Sequence, residues 1–367
     1  MSGPPGCIAR ARRFVLSGSA VVSRTLLASP VPLRPGDLML RPPIAPFAAV
    51  LAGTLLLAGC SAASAQPAAS SRSAAADRPV VIQNCDTRVT FATAPTRVVS
   101  IKSTSTEILL ALGLGDRIVG TAFQDGPVPA KWKTQAAKLH TITDFMPSEE
   151  AELALEPDMV YSGWESAFSA DQAGTRSELA ALGIGTYVQP AACRTTGAPA
   201  RLSFADIFGE LKQVGSIFRV DTAADKLVAQ QKAELATVTK STKGLSALWY
   251  SSGTDVPYVG AGTGAPELVM ETVGLTNIAA DVKQTWTSLG WESIVADDPD
   301  VIILIDASWN TAASKIQSLE SNPATENLSA VKNHRFVTLP FPASEAGVRT
   351  VDAAVSVSKQ LKALGLG

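Results

Sequence analysis

The chain has 367 residues, long enough for two domains with full cores, and a formal net charge of −2. Removing the six Arg and one Asp of the first 59 residues from totals of 31 basic and 33 acidic leaves 25 and 32, a net of −7. That balance, with no basic stripe interleaved with aromatics, excludes nucleic acid as a partner.

Residues 1–59 read as a signal region. Its apolar run Ile44–Leu57 is too short to span a bilayer, and Met39-Leu40-Arg41 supplies the charged start, so translation is expected to begin at Met39. Leu57-Ala58-Gly59-Cys60 resembles the bacterial lipoprotein cleavage box, whose Cys is lipidated and becomes the first residue; a chance Cys after a signal peptide is the alternative. Residues 60–78 form an Ala/Ser tether too poor in bulky apolar residues to pack. Cys7 precedes the expected start, which leaves Cys85 and Cys193 as an even pair in an oxidising compartment. A disulfide follows, against the alternative of two unpaired core thiols.

Residues 79–201 are expected to form an N-terminal lobe. It holds an edge hairpin or strand over Pro79–Phe91, a buried strand Arg97–Ile101, a helix from near Glu107, a turn at Gln124–Pro127, and a helix and strand within Ser177–Val188. Residues 202–243 are helical: Leu202–Phe218 is amphipathic, and Asp221–Thr239 contains no Gly or Pro. Nineteen helical residues reach about 28 Å, enough to bridge two lobes. Residues 244–367 form a second lobe that opens with the strand Ser246–Tyr250 and closes with a helix over Ala343–Leu364.

The lobes share a repeat. In Met146–Trp164 and again in Thr285–Trp309, a Glu (Glu150, Glu292) opens a short helix, Pro-Asp follows, an apolar strand comes next, and a loop carries a Trp. Thr106–Gly120 is echoed by Pro266–Ala279 in the same way. A uniformly apolar strand after a helix suits a parallel sheet buried on both faces. The fold class is therefore α/β, two similar Rossmann-like lobes joined by one long helix, with ligand in the cleft between them.

Lys102-Ser103-Thr104-Ser105 sits where a strand passes into a helix, and free N–H groups, hydroxyls and an ammonium there favour an anion. Plain capping with Lys102 solvated is the alternative. Arg349 is a second candidate anion contact, or a structural ion pair. Trp164, Trp286 and Trp309 fall at strand ends or loops, and two of the three are expected to line the cleft and stack on a flat solute; loop packing is the alternative. Trp132, Trp249 and Trp291 read as structural. Gly260-Ala-Gly262-Thr-Gly264 lacks the third Gly of a dinucleotide fingerprint, since Ala265 fills its place, and reads as a turn where backbone approaches ligand. With two distant His and no Gly-x-Ser-x-Gly, no metal, no cofactor and no catalysis are expected. A surface-anchored enzyme is the rival from another class.

RVVSIKSTSTEILLALGLGDRIVG, ELALEPDMV and WESIVADDPDVIIL resemble the ABC-importer solute-binding lipoproteins of the siderophore, haem and cobalamin class, from Val80 to the C-terminus. STSTEILLALGLGDRIVGTAFQDGPVP, GWESAFSADQAG, LWYSSGTDVPYVGAGTGAPE, TNIAADVKQTWTSLGWE and LPFPASEAGVR bring the chain closer to actinobacterial binding proteins of an importer for the coenzyme F-420 precursor, a phospholactyl deazaflavin. The resemblance implies an extracytoplasmic protein held to the outer face of the cell membrane by lipid on Cys60, acting as a monomer. It implies a small, flat, anionic ligand, with a ferric siderophore or a corrinoid as the alternative. It also implies that Glu150 and Glu292, one per lobe, meet Arg residues of an ABC permease dimer driven by its ATPase. Helix-dipole stabilisation alone would also favour a Glu at each position.

Overall fold

The computed structural model describes residues 78–193 and 199–367. Cys60, the signal region and residues 60–77 of the expected tether lie outside the described residues.

Lobe one starts with a hairpin, β1 (Val80–Asn84) and β2 (Thr87–Phe91). Its two turn residues, Cys85 and Asp86, have φ of 47° and 60°, the left-handed pair that a two-residue hairpin turn requires. Cys85 is disulfide-bonded to Cys193, 108 residues on. Then follow β3 (Val98–Ile101), α1 (Ser103–Ala111), β4 (Ile118–Ala122), α2 (Lys133–Ala136), β5 (Thr141–Thr143), α3 (Glu149–Leu153), β6 (Met159–Ser162), α4 (Arg176–Ala181) and β7 (Gly185–Val188). The strands form a parallel sheet in the order β5-β4-β3-β6-β7. Along β3 the side chains alternate between two cores, Val98 into one, Val99 and Ile101 into the other. Burial on both faces is why the strand carries no polar alternation. The chain leaves β3 toward β4, then returns on its other side at β6. The gap between the carboxyl ends of β3 and β6 is thus the switch point where open α/β sheets bind ligand.

Two helices connect the lobes. α5 (Phe204–Ile217) is opened by a capping box of Ser203 and Asp206 and buries Phe208, Leu211, Val214 and Ile217 in the lobe-one core. α6 (Asp221–Leu235) carries Ala224 and Val228 in that core, while Leu235 also packs on lobe two. The helix ends four residues before the expected Thr239, so its reach is about 22 Å. Val238 folds back on Leu235, and the Thr239 amide turns away to donate to the Ser358 hydroxyl. Residues 199–203 also touch lobe two, where the Leu202 amide donates to the Thr263 carbonyl.

Lobe two contains β8 (Ser246–Ser252), β9 (Tyr258–Gly260), α7 (Ala265–Val273), β10 (Thr276–Asn277), β11 (Trp286–Ser288), α8 (Trp291–Asp297), β12 (Val301–Asp306), α9 (Ala312–Ser321), α10 (Ser329–Lys332), β13 (Phe336–Pro340) and α11 (Thr350–Ala363). Its sheet runs β11-β9-β8-β12-β13, with β10 also on β8; β9 is antiparallel to both neighbours. The expected terminal helix from Ala343 begins only at Thr350. Phe341–Ala343 is a single tight turn, and Ser344–Arg349 runs as a non-helical clasp onto lobe one and α6, where Gln189 and Gln231 respectively donate to the carbonyls of Ala346 and Val348.

The Pro-Asp repeat has a physical job in both lobes. Asp158 accepts from the Thr96 amide (2.7 Å), the Thr96 hydroxyl (2.8 Å) and the Arg97 amide (3.0 Å), just before β3. Asp300 accepts from the Ser246 amide (3.0 Å) and hydroxyl (3.2 Å) at the start of β8. Each carboxylate therefore pins its strand to the neighbouring one. Two residues earlier, Glu156 and Asp298 both adopt positive φ, 46° and 39°, which stops the preceding helix.

Candidate ligand cleft

A cavity of about 700 Å³ opens between the lobes. Its walls are the segments that follow β6 (Gly163–Ser166), β7 (Gln189–Cys193) and β13 (Ser344–Ala346), with Tyr258, Thr263–Ala265, Thr285 and Trp286 from lobe two. Trp164 stands on one side. On the other, Trp286 and Tyr258 stack at 5.9 Å with ring planes 14° apart. Trp309 does not line this cavity; it is 58% exposed and packs edge-on to Phe341 at 5.1 Å. Trp132 and Trp249 are buried, and the Trp291 indole donates to the Thr254 carbonyl.

The helix start at Lys102 does hold an anion, but it is the chain's own Asp125. Lys102 is fully buried and ion-paired with Asp125, whose carboxylate also accepts from the Ser103 amide at 3.2 Å. The Ser103 hydroxyl accepts from the Asp125 amide at 2.8 Å. Burial pushes the Asp125 carboxyl up, and Lys102 pulls it back. The ammonium lies 3.6 Å from the centroid of the Trp164 ring and 4.4 Å from that of Phe123, a site walled by π faces. The expectations of a solvated Lys102 and of a Lys102 open to ligand are therefore both corrected. The Ser105 hydroxyl donates to the Ile101 and Lys102 carbonyls, and Thr104 Oγ1 is buried without a hydrogen-bond partner.

Arg349 is likewise committed. Its guanidinium makes a two-point ion pair with Glu107 (Nε–Oε2 2.6 Å) and donates to the Pro127 carbonyl at 2.8 Å, with both side chains buried. Burial raises the Glu107 carboxyl and Arg349 draws it down again. Of the two alternatives for Arg349, the structural ion pair is the arrangement present.

Glu345, which sequence reasoning passed over, belongs to the cavity wall. Its Oε1 accepts from the Trp164 indole at 2.9 Å, tying the clasp to lobe one, and its Oε2 is shielded from solvent with no hydrogen-bond partner. Burial pushes this carboxyl up to about 7, against the pull of Lys102. The available signal was an acid in an otherwise small and apolar loop, Pro340–Val348.

The glycine turn serves packing of the chain. A side chain at Gly262 would strike the Ala280 carbonyl, so its backbone closes on the 280–285 loop and presents Thr263 and Gly264 to the cavity. Gly163 has the same role in lobe one, where a Cβ would meet Thr104 and Lys102. Glu150 and Glu292 are both exposed at the second position of their helices, α3 and α8, on opposite lobes. Among the described residues neither makes an ion pair or side-chain hydrogen bond, no metal-ligand cluster of three His, Cys, Asp or Glu occurs, and no helix is long and apolar enough to cross a membrane.

Residues 98–343 match the model of the periplasmic binding protein family. Over 324 residues the chain is 25% identical to an uncharacterized ABC transporter substrate-binding lipoprotein of Bacillus subtilis, YvrC, covering 86% of this chain and 96% of that one. A periplasmic binding protein from Veillonella parvula superposes with a TM-score of 0.68 at 25% identity, over 77% of this chain and 97% of the other. An ABC-type Fe3+-hydroxamate transport system structure from Saccharomonospora viridis gives 0.66 at 25% identity, over 77% and 99%. The haem-binding protein RhuT from Roseiflexus, at 23% identity over 73% and 98%, shares the fold with a TM-score of 0.59. The two α/β lobes, the cleft at their strand ends and the match across both lobes converge: this chain belongs to the periplasmic binding protein family.

Proposed function

We propose that the protein is the extracytoplasmic substrate-binding lipoprotein of an ABC importer, anchored through Cys60, which encloses a small solute between its lobes and hands it to a permease. The observation that carries this reading is the aromatic-walled cavity of about 700 Å³ at the carboxyl ends of β6 and β7, within the range of pockets that enclose cofactor-sized molecules. The relatives named as ABC transport proteins support the same reading. Glu150 and Glu292 are the permease-docking pair, supported by their matching exposed places on the two lobes.

For the solute, a ferric hydroxamate-type chelate is the reading favoured here. The phospholactyl deazaflavin keeps its flat partners, Trp164 and the Tyr258–Trp286 pair, but loses the anion contacts expected of Lys102 and Arg349. Tryptophan-fluorescence titration with ferric hydroxamates, cobalamin and the phospholactyl deazaflavin should show tight binding of one class without turnover. Chemical conversion of a bound solute would argue for an enzyme instead. Reversing Glu150 and Glu292 together to Lys should abolish uptake and leave binding intact; unimpaired uptake would remove the docking role.

A further inference from the structure

Among the described residues, three cations at or beside the cleft are neutralised from within. Lys102 is paired with Asp125, Arg349 with Glu107, and Arg201 with Glu267 (2.7 Å) and Glu271 (3.0 Å). The other charged residues of the cavity wall are the carboxylates Glu165, Asp206 and Glu345. Asp206 is occupied in its capping box, where Oδ2 accepts from the Ser203 amide and hydroxyl.

Glu345 differs from these. One oxygen is fixed by Trp164, which orients the carboxylate, while the other is closed off from water and lacks a donor. A buried acceptor left unsatisfied is costly, so a solute that brings a donor to it gains affinity that a solute without one cannot. The facing groups, Lys102 and Asp125 in lobe one, form a pair with each other, so Lys102 is not a free counter-charge for Glu345. An incoming anion would meet the Glu345 carboxylate at this wall, and like charges brought together in a partly desolvated site repel strongly.

We infer that Glu345 is the polar anchor of the cavity, and that the solute is neutral or cationic, presenting an N–H, O–H or ammonium donor to Glu345 Oε2 while its flat or apolar surface meets Trp164 and the Tyr258–Trp286 stack. This rests on the reading of the cleft as the ligand site. It selects among solutes by charge, against phosphodiesters and polycarboxylates and in favour of donor-bearing chelates.

The test uses one linear ferric trihydroxamate with three end groups, a free ammonium, its N-acetylated form and its N-succinylated form, alongside the phospholactyl deazaflavin. Each is titrated against the whole protein by tryptophan quenching. The ammonium and acetyl forms should bind about tenfold or more tighter than the succinyl form. In Glu345→Gln the preference for ammonium over succinyl should fall by about tenfold. If that variant unfolds, the wild-type series decides alone. Equal binding of the succinyl form, or tightest binding of the deazaflavin, overturns the inference and leaves the binding-protein reading standing. Binding of none of the four counts against both together.

Discussion

The two lobes unfold from one repeated pattern, yet matching positions in them carry opposite burdens. Glu107 on α1 and Glu267 on α7 each grip an arginine from a segment that joins the lobes, Arg349 and Arg201. The first pair is sealed, at 1% and 7% side-chain exposure, whereas Arg201 is 53% exposed. A second contrast lies six residues before each Pro-Asp carboxylate. Lobe two places Ile294 there and lobe one Glu152, both with no exposure at all. Neither oxygen of Glu152 has a hydrogen-bond partner among the described residues. Repetition of sequence reproduces where a residue sits; the surrounding dielectric decides what it contributes.

The sealed pair should dominate. Arg349→Met leaves the Glu107 carboxylate buried without its counter-charge and should cost about 3–5 kcal/mol in urea unfolding, most of it recovered by adding Glu107→Leu. A loss no larger than that of an exposed pair would erase the contrast between the lobes. Converting lobe one to its partner's residue with Glu152→Ile should stabilise by about 1–3 kcal/mol at pH 8. Burial, with Glu149 adding repulsion, lifts the Glu152 carboxyl from 4.5 to about 8. Its folded form is favoured while protonated, so the wild type is least penalised below pH 4.5 and loses stability as pH rises from there toward 8. The gain from Glu152→Ile should shrink correspondingly at pH 4.5, and a gain independent of pH would contradict the assignment. Least of all, Arg201→Ala should change stability by under about 1 kcal/mol, since its guanidinium is half in water and screened.

Local pattern carried much of this architecture. The apolar strands, the Pro-Asp turns, the Glu-led helices and the strand-end Trp residues are short-range signals, and two lobes follow from their recurrence. What the pattern could not supply are partners far along the chain. Lys102 reads as a free cation until β4 delivers Asp125 beside it, and Arg349 meets Glu107 across 242 residues. Helix α6 looked longer than it is because Ala236–Thr239 contains no helix breaker; Ser358 on α11 captures the Thr239 backbone instead. Trp309 shared the strand-end placement of Trp164 but faces outward, a distinction that depends on the rotation of a loop rather than on spacing.

The Cys85–Cys193 bond has a mechanical consequence. Tension applied between residue 78 and the C-terminus enters at the hairpin, passes through the sulfur bridge, and continues directly into the segment leading to α5. All five strands of the lobe-one sheet lie inside the bypassed ring, so they bear no load along the backbone. Roughly 360–390 Å of contour length, for the sequence separation of 108 that the bond spans, is withheld from any stretch of the oxidised chain. Helices α5 and α6 and lobe two, which fall outside the ring, are the parts that a pull can unravel.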